Sequence, residues 1–131
     1  MQKRALLAAA LVLTLALPAL AAAPPFAPVT LRGSYVWEQG DEEGRLEAEF
    51  TPTDEHRYRV VFRFERGGAS HTYEGTAEGS LEQGTLRGRV QSDRRRRTFS
   101  FSGVVKDGKF TGTHAEGEGI GEQRTGTLSL G

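Results

Sequence analysis

The stretch Arg57-Tyr58-Arg59-Val60-Val61-Phe62-Arg63-Phe64-Glu65 decides how this chain is read. Tyr58, Val60, Phe62 and Phe64 alternate with Arg57, Arg59, Val61 and Arg63. That is the period of two a β-strand imposes by sending successive side chains to opposite faces. A helix would scatter the four apolar residues around its circumference, whereas a strand gathers them on one side. A Gly67-Gly68 turn follows.

The same period runs outward in both directions. Upstream, Leu31 to Trp37 sets Leu31, Gly33, Tyr35 and Trp37 on one face. After a turn through Gly40, Asp41 and Gly44, Arg45 to Thr51 sets Leu46, Ala48 and Phe50 against Arg45, Glu47 and Glu49, and Pro52 to Asp54 turns the chain again. Downstream, Ser70 to Leu81 carries His71, Tyr73, Gly75, Ala77, Gly79 and Leu81 on one side, and Thr85 to Gln91 shows Leu86, Gly88 and Val90. A turn over Ser92 to Arg95 leads into Arg97 to Val105, with Phe99, Phe101, Gly103 and Val105 facing one way. Lys109 to Glu116 gives Phe110, Gly112 and His114, and Arg124 to Leu130 gives Gly126, Leu128 and Leu130. The reading is eight strands and no helix beyond residue 23. All aromatic residues except Phe26 fall on the apolar faces, the mark of antiparallel sheet with one side buried. Asp41, Asp54, Asp93 and Asp107 all fall in turns, which suits their backbone-bonding side chains and removes them as buried acids.

A short internal repeat supports two of the hairpins. Gly79-x-Leu81-x-x-Gly84-x-Leu86-x-Gly88 matches Gly103-x-Val105-x-x-Gly108-x-Phe110-x-Gly112 position for position. Each copy predicts a three-residue loop, Glu82-Gln83-Gly84 and Lys106-Asp107-Gly108, with glycine in the left-handed position of a G1 bulge. Short strands in sequence joined by tight turns point to an all-β, up-and-down barrel over residues 31–131, with a two-sheet β-sandwich as the alternative. Glycines at 75, 79, 88, 103, 112 and 126 suit strongly curved strands.

Residues 1–21 have the layout of a secretory signal peptide: Lys3 and Arg4, an apolar run from Ala5 to Leu17, then Ala19-Leu20-Ala21 before cleavage. The apolar run is shorter than the ~20 residues a membrane span needs. Residues 22–30, with Pro24, Pro25 and Pro28, read as an extended lead-in. The expected location is therefore outside the cytoplasm, periplasmic or secreted. The full chain of 131 residues balances 17 basic against 17 acidic groups; without Lys3 and Arg4 the balance is 15 to 17, a net charge of −2. This gives no general attraction to nucleic acid or anionic membrane. With no cysteine there is no disulfide framework, thiolate nucleophile or Cys-based zinc site.

The opening Gly33-x-Tyr35-x-Trp37 strand, behind a signal peptide and ahead of an eight-strand meander, resembles the calycin superfamily of lipocalin and avidin barrels. Tyr35 stands where the lipocalin Gly-x-Trp motif has its Trp, and Trp37 comes one pair later. The resemblance implies carriage of a small ligand, and it implies a closing-strand Arg covering the opening Trp, for which Arg124 is the candidate. A single Trp argues against biotin, which avidins enclose with several.

An eight-strand barrel has room inside for packed side chains or one small ligand. The expected function is non-enzymatic binding of a small apolar or amphipathic molecule by Tyr35, Trp37, Tyr58, Phe62, Phe64, His71, Tyr73, Phe99 and Phe101. The inner glycines concentrate from the fourth strand onward, so the expected cavity lies beside strands four to eight. The alternative is a protein-binding module, such as an inhibitor of an exported hydrolase, that inserts residues 22–29. Two further readings carry less weight: a metal site from His71, His114 and Glu116, and an outer-membrane barrel with its apolar face turned to lipid. No metal or cofactor is assigned. Arg94 to Arg97 reads as a solvated turn and strand edge. No Gly-x-Ser-x-Gly, His-Glu-x-x-His or phosphate loop is present, so the chain reads as a non-enzyme.

Overall fold

The computed structural model describes residues 27–92, 97–117 and 119–131. Eight antiparallel strands follow one another: β1 Val29–Trp37, β2 Glu42–Asp54, β3 Arg57–Arg66, β4 Ala69–Gly79, β5 Gln83–Ser92, β6 Thr98–Lys106, β7 Lys109–Glu116 and β8 Gln123–Leu130. Each pairs with the next, and β1 pairs with β8 from Gly33 opposite Leu130 to Trp37 opposite Gly126. The result is a closed up-and-down barrel, not a sandwich. Closure leaves no strand edge unpaired in a chain that has no disulfide to hold its ends.

The inner face is the apolar face throughout. Phe50, Phe62, Val60, Tyr73, Leu86, Phe101, Val105, Phe110 and Leu128 all point inward and are buried. The outer face carries ion pairs such as Arg63 with Glu47 and Glu49, Arg32 with Glu47, and Arg87 with Glu78. Exposed pairs of this kind contribute little to stability, but they give the outer surface the opposite character from a lipid-facing band. The reading with an outward apolar face is therefore reversed.

Boundaries differ from expectation where pairing extends past the turn signals. β2 starts at Glu42, which sits opposite Trp37, and runs to Asp54 through a register shift after Pro52. Val29 and Thr30, assigned to the lead-in, already pair with Phe50 and Glu49. The signal peptide at 1–21 and residues 22–26 lie outside the described residues, as do Arg94 to Arg96. A 3₁₀ turn, Gly119–Gly121, precedes β8.

The two repeat copies turn differently. Lys106 pairs with Lys109, leaving a two-residue loop in which Asp107 and Gly108 both have positive φ, 52° and 78°. That is the type I′ geometry Asp-Gly favours, not a three-residue bulged loop. In the other copy β4 ends at Gly79, and the Ser80 hydroxyl accepts hydrogen bonds from the Glu82 and Gln83 amides. Leu81 leaves the strand and packs against the core from outside it.

At three glycines a ring takes the space the missing side chain leaves. Tyr35 lies over Gly44, Phe101 over Gly88 and His114 over Gly126, so that a Cβ at any of these positions would strike the ring. In each case ring and glycine are directly opposite on neighbouring strands. An aromatic ring thus covers the backbone that the missing side chain would expose.

Candidate functional site

Packing divides the barrel along its axis. At the end holding the β2–β3 and β6–β7 turns, Phe50, Phe110, Leu86, Val60 and Val105 are at most 2% exposed and fill the interior. Tyr58 belongs to this end, edge-on to Phe50 at 6.0 Å. The other end, holding the β1–β2 and β3–β4 turns, contains an open cavity of about 450 Å³. Expected beside strands four to eight, the space instead occupies one end of the barrel and is walled by residues from β1 to β7.

Eight of the nine expected ligand residues line this cavity; Tyr58 does not. Phe62 and Phe101, with centroids 5.1 Å apart, sit deepest, because Phe101 also touches Phe110 of the packed half. Above them a run of ring contacts follows the wall. His71 stacks on Phe64, Phe64 on Tyr73, Tyr73 meets Phe99 edge-on, Phe99 meets Trp37, and Trp37 stacks on His114, all at 5.3 to 5.9 Å. Tyr35 packs edge-on to Phe64 at 5.3 Å, and burial raises its phenol pKa, so it stays protonated. These contacts hold the wall in place without a ligand.

Two arginines complete the wall. The Arg66 guanidinium carbon lies 5.2 Å from the Trp37 ring centroid, and that of Arg97 lies 5.6 Å from Trp37 and 5.2 Å from Phe99. Arg66 Nε is 3.2 Å from both oxygens of Glu42. Arg97 donates from Nε and Nη2 to the two oxygens of Glu116 at 2.7 and 2.9 Å. This bidentate bond holds the Glu116 carboxyl below the usual carboxylate range and raises the Arg97 pKa. Arg97, expected in a solvated turn, instead points into the barrel mouth. Both arginines were readable: Arg66 follows Phe64 by two and Arg97 precedes Phe99 by two, which puts them in phase with the inner face.

Arg124 does not cover the opening Trp. It makes a bidentate pair with Glu38 outside the barrel, at 3.1 and 2.8 Å. Arg66 and Arg97 take the place over Trp37 that the resemblance assigned to Arg124.

His114 is buried, with both ring nitrogens engaged. Nε2–H donates to the Val36 carbonyl at 3.0 Å, and Nδ1 lies 2.6 Å from the Thr125 hydroxyl, which also reaches the His114 carbonyl at 3.1 Å. With Glu116 bound to Arg97 as well, no three metal-ligating side chains converge among the described residues. Burial lowers the His114 pKa, against the opposing pull of the Val36 hydrogen bond and Glu38; Arg124 lowers it further. As pH falls, the unfolded chain therefore binds the His114 proton first. Stability is full above the unfolded value of about 6.5 and declines as pH drops through it towards the folded value. We expect Tm to fall by a few degrees between about pH 7.5 and about pH 5.5, a fall that His114→Gln lacks in the same calorimetric scan. The Arg97–Glu116 pair is lost in a separate, more acidic window, below about pH 4.5.

The fold and cavity define the class: a closed eight-stranded antiparallel barrel, compatible in outline with the calycins, open at one end to an aromatic-walled interior. No family model, curated protein or solved structure matches the chain.

Proposed function

We propose that this chain is an exported binding protein that holds one small apolar or amphipathic molecule in the open end of its barrel and does no chemistry on it. The observation that carries this reading is the cavity of about 450 Å³ lined by Tyr35, Trp37, Phe62, Phe64, Tyr73 and Phe99, in a barrel whose other half is tightly packed. A concave, mostly apolar space of this size with a few polar groups at its rim is what small-molecule sites have in common. Export is supported by the layout of residues 1–21. A binding role without catalysis is supported by His114, whose ring nitrogens are spent on Val36 and Thr125, and by Glu116, held by Arg97.

Trp37 makes the test direct, because it is the sole tryptophan and lies in the cavity wall. Titration with phenylnaphthylamine, an uncharged dye that fluoresces in apolar surroundings, is expected to saturate at one dye per chain. Excitation of Trp37 should transfer energy to the bound dye. Signal that rises without saturation, or dye emission without transfer from Trp37, would sink the proposal.

A further inference from the structure

We infer that the molecule held in this cavity carries an anionic group, which the free guanidinium edges of Arg66 and Arg97 receive at the mouth. The inference rests on the cavity being a ligand site and adds the charge of what enters it. Among the described residues, the charged side chains in the lining are Arg66 and Arg97, and no carboxylate lines it. Glu42 and Glu116, which pair with them, stand outside the lining.

The hydrogen-bond geometry agrees with that placement. A guanidinium has five N–H donors in a fixed fork. Arg97 uses Nε and Nη2 on Glu116, and Arg66 uses the same edge on Glu42. The Nη1 group of each makes no hydrogen bond among the described residues. The carboxylates thus act as braces: each holds its arginine by the Nε/Nη2 edge, with the guanidinium over Trp37, and among the described residues leaves Nη1 unspent. A planar, prepositioned fork of this kind suits a carboxylate, sulfonate or phosphate. A cationic ligand would find two like charges here and, among the described residues, no acidic side chain in the wall.

The test compares two dyes with one ring skeleton: anilinonaphthalene sulfonate, and its uncharged parent phenylnaphthylamine, both read by energy transfer from Trp37. Arg97→Gln is expected to weaken the sulfonate about tenfold more than the neutral dye, the usual scale for one charge-assisted hydrogen bond. Arg66→Gln should act the same way. Because Arg97→Gln leaves Glu116 unpaired, the double variant Arg97→Gln/Glu116→Gln separates lost donation from new repulsion. It is expected to stay weak for the sulfonate. Recovery in the double variant, equal weakening of both dyes, or no change with either would overturn the anionic reading and leave the cavity reading standing. Failure of both dyes to bind the unaltered protein would remove both.

Discussion

Phe110→Ala should lower the unfolding free energy by about 3–5 kcal/mol, the scale for a buried Phe whose site cannot collapse. Phe110 is fully buried and sits at the crossing of the packed half. Its ring meets Phe101 edge-on at 6.1 Å and leans along its own strand over Gly112. Opposite it stand Val105 on β6 and Leu130 on β8. Each of these side chains is anchored on a strand that hydrogen-bonds on both sides, so none can move far into the space an alanine would leave. A domain of this size holds about 5–15 kcal/mol in all, so this one change removes a large share of it. Phe64→Ala is the control: Phe64 touches the rings of Tyr35, His71 and Tyr73 but is only partly buried and borders the open cavity, where the truncated site adds to space already present. Urea unfolding of both variants should place Phe64→Ala well above Phe110→Ala in stability. Equal losses would show that the two ends of the barrel are packed alike and that the cavity does not persist in solution.

How far the sequence disclosed this arrangement depends on the range of the physics involved. Period two is set by the strand backbone itself, so the eight strands, their inner faces and eight residues of the cavity wall were legible from residue spacing. Closure between β1 and β8 and the axial division of the interior were not. Each depends on how far every strand is offset from its neighbour around the ring, which spacing within one strand does not record. The repeat misled for a local reason: Asp107-Gly108 has the residues of a two-residue turn, whereas Ser80 caps its own loop with a hydroxyl. Arg66 and Arg97 were overlooked for a chemical one. Their phase puts them inside, whereas their charge is otherwise a mark of the outer face. At a barrel mouth the two rules part, since a long side chain can lay its plane on an aromatic ring and keep its charge near water.

An open cavity costs a barrel stability, and the proposed ligand site requires it. Val90 lines it, is buried, and faces Gly75 across the β4–β5 ladder. The fold already has a way to place a large ring at such a position, since Tyr35, Phe101 and His114 each lie over a glycine directly opposite. Val90→Phe should use the same device: the new ring has bare backbone at Gly75 beside it and open volume in front. Filling an apolar void with a compatible side chain adds about 0.5–2 kcal/mol of stability. The ring and a ligand then compete for one space, so phenylnaphthylamine affinity should fall about a hundredfold, equivalent to about 2.7 kcal/mol. The opposite signs are what make the experiment informative. A substitution that only damaged the fold would lower Tm and binding together, and one on an irrelevant wall would leave binding alone. Higher Tm with lost binding is expected only if the natural sequence holds a small residue at position 90 at a cost in stability, for the sake of the space in front of it. Calorimetry and a dye titration on the one variant decide it: unchanged dye affinity in a folded Val90→Phe protein would move the ligand out of the barrel.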